Sequence, residues 1–154
     1  TDNFVVDFDL THRRRDGWIV YQGENNFGAF HGTVWQPKID MLWFLAADHQ
    51  VRFTLQWVGA RADERGFFAV PEGDGDLIPA ARTEENHDFS ASLLTAQLRY
   101  RWEIAPLTDL FVVYNIGNSL SPSRQAAFQD LFTDSFDDPT LDAFIVKLRY
   151  RFGN

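Results

Sequence analysis

Six cations have the spacing to do chemistry together. Arg52, Arg99, Arg101, Lys147, Arg149 and Arg151 sit in stretches where charged and apolar residues alternate in twos, and Asp7, Asp9 and Glu103 follow the same rhythm. Residues two apart in an extended chain share a face, so each stretch would present a charged wall and an apolar one. Charges lining the inside of a membrane pore set its ion selectivity. The plainer alternative is a filled lumen whose charges pair across it, since eight strands leave an interior about filled by side chains.

Two other chemistries have candidate residues. Asp74-Gly75-Asp76 and Asp137-Asp138 offer the hard oxygen ligands that Ca²⁺ takes. No complete EF-hand spacing accompanies them, so they read as solvated surface charge, and neither metal nor cofactor is expected. Hydrolysis or acyl transfer would need a nucleophile and a base. The histidines are His12, His31, His49 and His87, and the candidate serines are Ser90, Ser92, Ser119, Ser121, Ser123 and Ser135. There is no G-x-S-x-G motif, and only His87 with Ser90 or Ser92 would share one rim. His12 and His49 read as turn residues, and no catalytic residue is assigned.

The element that must position the cations is clearest at Leu141 to Phe152. Phe144, Val146, Leu148, Tyr150 and Phe152 fall on one face, and Ala143, Ile145, Lys147, Arg149 and Arg151 on the other. The alternation predicts further strands at Asn3–Thr11, Trp18–Gln22, Phe27–Trp35, Ile39–Ala46, Val51–Arg61, Phe89–Glu103 and Asp109–Asn118. Their breaks fall at Asp16-Gly17, at Gly23–Asn26, at Gln36-Pro37-Lys38, at Ala47–Gln50 and at Ile104–Thr108. Two long loops, 62–87 and 119–140, complete a single domain over 1–154. The second carries a predicted helix from Pro122 to Phe132, with Ser121 as N-cap and Ala127, Phe128, Leu131 and Phe132 as its apolar stripe.

About eight antiparallel strands with alternating faces predict an all-β fold: a transmembrane β-barrel, or the C-terminal strands of a larger one. Several runs exceed the ~5–6 residues usual for soluble strands and reach the ~9–11 that cross a bilayer. Gln97–Trp102 and Lys147–Phe152 are near copies. They place Tyr100, Trp102, Tyr150 and Phe152 in an aromatic belt and their arginines inward, because a lipid-facing Arg at the midplane costs ~2–4 kcal/mol. A soluble β-sandwich with a solvated arginine face is the competing architecture.

Composition agrees with strands rather than membrane helices. The mean hydropathy is −0.28 and aromatics make up 16% of 154 residues, yet no apolar run approaches ~18 residues. Cysteine is absent, so there is no disulfide framework. No leader is visible at Thr1-Asp2-Asn3, so the sequence reads as a processed chain or the tail of a longer one. The net charge of −8 is concentrated in the loops: 62–88 carries −6 and 119–142 carries −4, leaving about +2 elsewhere. Acidic loops repel phosphodiesters, which excludes nucleic acid as a partner. Short and long connections alternate after Ala46, as in outer-membrane barrels. That places both chain ends, His49 and Pro106 on the periplasmic side and the acidic loops outside.

Three stretches carry a family resemblance: Phe53–Gly59 with Arg61-Ala62, Leu98–Tyr114, and Phe144–Gly153. They resemble the C-terminal barrel of a largely uncharacterised bacterial outer-membrane family whose members usually carry an upstream β-sandwich of the family 9 carbohydrate-binding type. Tyr150-Arg151-Phe152 also resembles the insertion signal read by the barrel assembly machinery, although Gly153-Asn154 follow it. The resemblance implies the fold, an outer-membrane location with lipid and that machinery as partners, and an upstream carbohydrate-binding-like domain or other envelope protein. It implies no catalytic residues.

Overall fold

The structure, a computed structural model, describes residues 3–73, 75–81, 86–122 and 125–152. It is all-β with one short helix. The strands are β1 (Phe4–Gly23), β2 (Asn26–Ala46), β3 (His49–Ala69), β4 (Ile78–Pro79), β5 (Phe89–Ala105), β6 (Thr108–Leu120) and β7 (Leu141–Tyr150), with α1 (Phe128–Asp134) before β7. One antiparallel sheet runs β1-β2-β3-β5-β6-β7, and the two-residue β4 pairs with the end of β3. Among the described residues β1 and β7 each have one partner strand, so hydrogen bonds do not close the sheet.

The expected eight strands are six long ones plus β4, because two local break signals are overridden. Asp16-Gly17 does not turn the chain. Gly17 takes a positive φ of 74°, and the β1–β2 ladder shifts register between Arg15 and Trp18, as a bulge does. Pro37 does not end β2. It pairs with Leu10 of β1, while the ladder to β3 skips Gln36 and Pro37 and resumes in the same register, so the missing N–H falls where no ladder bond is made. The first half of the expected 62–87 loop is also strand, since Ala62–Ala69 continues β3 alongside β2. Among the expected breaks, Glu24-Asn25, Ala47-Asp48 and Pro106-Leu107 are true hairpin turns.

These pairings put Phe4, the Ala47-Asp48 turn, the Pro106-Leu107 turn and Tyr150 at one end of the sheet. The acidic connections lie at the other end, and the Glu24-Asn25 turn joins them there. At 20, 21 and 21 residues, β1, β2 and β3 are about twice the ~9–11 residues a membrane crossing takes. Their surplus projects toward the acidic end. There Phe89 touches both Phe30 and Trp18, with centroids 5.4 and 5.5 Å apart. Trp18 and Phe89 stand on strands separated by β2 and β3, which puts flat-sheet backbones ~14 Å apart, so the sheet curls toward the face they share.

The helix is shorter than expected and starts later. Ala127 occupies its N-cap in an extended conformation with no side-chain cap. The backbone before it is held by tertiary bonds: Arg61 donates to Gln125 Oε1 (2.9 Å), Gln125 donates to Asp63 Oδ1 (2.8 Å), and the Ala126 N–H donates to Ser90 Oγ (3.1 Å). Three residues of the expected stripe face the sheet, Leu131 buried with Phe128 and Phe132 packed beside it, whereas Ala127 is exposed and Ala126 packs instead.

Candidate functional site

Register turns alternation into two continuous walls. On one face three consecutive rows cross all six long strands: Phe4–Trp43–Val51–Tyr100–Val112–Val146, Val6–Met41–Phe53–Leu98–Tyr114–Phe144, and Phe8–Ile39–Leu55–Ala96–Ile116–Asp142. Across these rows only Asp142 is charged. Phe8 is 61% exposed, Leu98 44% and Phe144 68%, so among the described residues no second layer covers this wall, and only α1 borders it at one edge, near Leu55.

The aromatic lower edge of the wall runs obliquely to the rows. Trp43 on β2 lies on the row of Val146, whereas Tyr150 on β7 lies four residues below it. Trp102 falls between them, stacked on His49 at 5.5 Å. Four residues of rise over four strand spacings is a slope of about 35°. Tyr150 packs edge-on against Phe152 (4.6 Å), which lies just past β7 with Arg151. Of the expected belt residues, Trp102 and Tyr150 fall on this oblique line with Trp43, Tyr100 lies two residues above Trp102 on the same strand, and Phe152 lies past the ladder with Arg151.

The opposite face gathers the charge. Asp7 pairs in register with Asp40, and Asp9 with Lys38. Lys38 Nζ lies 2.6 Å from Asp40, which also accepts from Thr54 Oγ1 (2.8 Å). Near the lower end Asp109, 5% exposed, joins three strands. Arg101 Nε of β5 donates to its Oδ1 (2.8 Å) and Arg149 Nε of β7 to its Oδ2 (2.9 Å). Arg101 also donates to Glu103 (3.2 Å), and Arg149 stacks over Phe111 (5.2 Å). A cavity of about 460 Å³ opens beside Lys38, Asp40, Arg52, Thr54, Gln97 and Arg99, and one of about 250 Å³ lies below it.

Of the expected lining residues, Asp7, Asp9, Arg52, Arg99, Arg101, Lys147 and Arg149 share this face. Sequence reasoning missed Lys38, Asp40 and Asp109. Asp109 had a usable signal, because its spacing from Asn115 puts it on the cationic side of β6. Replacing Asp109 with Asn should loosen β7 from β6, read as faster amide exchange at Leu148 and Tyr150 while the Val6-to-Phe144 row keeps its protection.

A second constellation, also missed, pins α1 onto the upper edge of the apolar wall. The Trp57 indole lies over Gly59, where any Cβ would collide with the ring. Its Nε1 donates to Ser92 Oγ (2.7 Å). Ser92 donates to the Leu131 carbonyl (3.0 Å) and lies 2.6 Å from Ser135 Oγ. Asn118 Nδ2 donates to the carbonyls of Ser135 (3.1 Å) and Asp137 (3.0 Å). Ser90 and Ser92 are thus buried beneath α1, whereas His87 lies 3.3 Å from Glu64, whose register with Phe30 places it on the opposite face.

Among the described residues no group of three or more His, Asp or Glu side chains gathers as a metal site. Asp74 and Ser123 lie outside the described residues, as do Arg82, Glu84, Glu85, Arg124 and Gly153-Asn154. No helix is long and apolar enough to cross a membrane, which says nothing of strands.

Fold and site define an all-β protein built on one antiparallel sheet with an apolar wall and a cationic one. The chain belongs to the family described as a domain of unknown function, DUF5916, which it matches over residues 2–152. No curated protein and no solved structure matches it.

Proposed function

We infer that this sheet is part of an antiparallel β-barrel of the bacterial outer membrane, serving without catalysis as a pore, a binding surface or an anchor for an upstream carbohydrate-binding-type domain. The observation that carries the reading is the oblique apolar wall. Outer-membrane strands tilt by ~35–45° across a horizontal apolar band edged with aromatics, and a slope of about 35° is what such a band requires. A soluble sandwich would cover that wall with a second layer, and among the described residues only α1 touches it, at one edge. Six long strands are fewer than the eight of the smallest bacterial barrels, and the open edges of β1 and β7 favour membership of a larger one. In this orientation the chain ends, His49 and Pro106 face the periplasm, the acidic connections face outward, and the aromatic end is the one presented to the barrel assembly machinery.

The test is extraction and quenching. The full-length gene product should require detergent, migrate differently on gels before and after boiling, and lose Trp43 and Trp102 emission in vesicles of brominated phosphatidylcholine. A protein that stays in the aqueous fraction with unquenched tryptophans overturns the reading. Planar bilayers then separate pore from anchor, since only a pore passes current.

A further inference from the structure

Arg52 and Arg99 stand directly opposite each other in the β3–β5 ladder, on the same face. Like charges in that relation have Cβ atoms ~5 Å apart and destabilise the pair, so the arrangement calls for a compensating anion. The protein supplies little. Asp40 is 4.0 Å from Arg52 but is already held by Lys38 and Thr54. Among the described residues the one polar contact of the Arg99 side chain is a donation to Gln97 Oε1 (3.2 Å). Immediately below, Arg101 and Arg149 share Asp109. The open cavity of about 250 Å³ here is lined by Gln50, Arg52, Arg99, Arg101, Phe111 and Arg149. Four guanidiniums therefore face one space, where Asp109 holds two of them and Glu103 accepts a further bond from Arg101 (3.2 Å).

We propose that this cavity binds a phosphate-type oxyanion, free or as the head of a small solute. Guanidinium forks match a tetrahedral oxyanion with paired hydrogen bonds, and Arg52 and Arg99 reach the space from adjacent strands while Asp109 keeps Arg101 and Arg149 oriented toward it. Phe111 gives the lining an apolar patch, and a cavity of this size admits a phosphate group with a few carbons. The inference deepens the barrel reading by naming what its cationic wall recognises. The binding is measured on the detergent-solubilised chain, so it fails or succeeds independently of conductance.

The experiment is isothermal titration with inorganic phosphate at constant ionic strength, followed by competition with glycerol phosphate. Wild type should bind saturably, and its thermal midpoint should rise with phosphate. Arg99→Gln should weaken binding by at least ~tenfold, the effect of removing one charge-assisted contact. Without phosphate, however, Arg99→Gln should be as stable as wild type or more so, because a like-charge pair has gone. Arg151→Gln, outside the ladder, should bind as wild type does. Competition by glycerol phosphate assigns the site to phosphate esters, including lipid headgroups, and its absence assigns it to the free ion. Non-saturable phosphate binding, unchanged binding in Arg99→Gln, or an Arg99→Gln protein destabilised equally with and without phosphate overturns the proposal.

Discussion

Leu98→Arg should prevent stable assembly in vesicles, and Phe144→Arg should do the same, while Ala143→Arg folds like wild type. Leu98 and Phe144 share the middle row of the apolar wall, and Ala143 points from the other face one residue away. Against acyl chains an arginine near the midplane costs ~2–4 kcal/mol, a large share of a stability that is typically ~5–15 kcal/mol. In water that cost disappears. Both residues are well exposed, and exposed substitutions usually stay within ~0.5 kcal/mol. The measurement is urea unfolding of vesicle-reconstituted protein, with the heat-shifted gel band as a second readout. A Leu98→Arg protein that keeps both would remove lipid from that wall.

The faces of the strands were legible because a period of two depends on nothing outside the strand. Phe53, Leu55 and Trp57, or Leu98 and Tyr100, announce their side by spacing alone, and both walls follow. The strand count was not legible. Asp16-Gly17 and Pro37 carry the local chemistry of breaks, but each ladder on either side is long enough to absorb a bulge or a skipped bond. The charged run Ala62-Asp63-Glu64-Arg65 lacks alternation because that part of β3 extends past the apolar wall, where neither face has to be uniform. Register was invisible too, and it decides the chemistry. The near copies Gln97–Trp102 and Lys147–Phe152 flank β6, yet Asp109 takes Arg101 from the first and Arg149 from the second. These arginines hold different places in the motif, because the two ladders are offset. The opposition of Arg52 and Arg99 likewise exists only once β3 and β5 are aligned.

The docking of α1 should depend on Trp57 more than on any other side chain, because the indole both fills the space under Leu131 and begins the hydrogen-bond chain to it. Trp57 is 5% exposed, Leu131 1% and Leu94 0%, and Phe132 meets the indole edge-on at 5.3 Å. Trp57→Ala should cost ~3–5 kcal/mol locally, as large-to-small changes in packed sites do, which exceeds what a seven-residue helix supplies alone. Trp57→Phe keeps a ring against Phe132 and loses only the donor to Ser92, a cost of ~1 kcal/mol. Limited chymotrypsin digestion reads the difference: Trp57→Ala should be cut at Phe128 and Phe132 much faster than wild type, and Trp57→Phe only slightly faster. Released, α1 would leave Ser90, Ser92 and Asn118 without the partners that cover them at the edge of the apolar wall, and unpaired polar groups are costly against lipid. Leu55 of the third row borders the emptied site, but the strand pairing of the three rows is kept, so Trp57→Ala should still enter vesicles, sitting with its upper edge out of the acyl region. If Trp57→Ala instead digests at the wild-type rate, α1 is held by its polar contacts through Gln125, Ala126 and Asn118, and the packing beneath it contributes little.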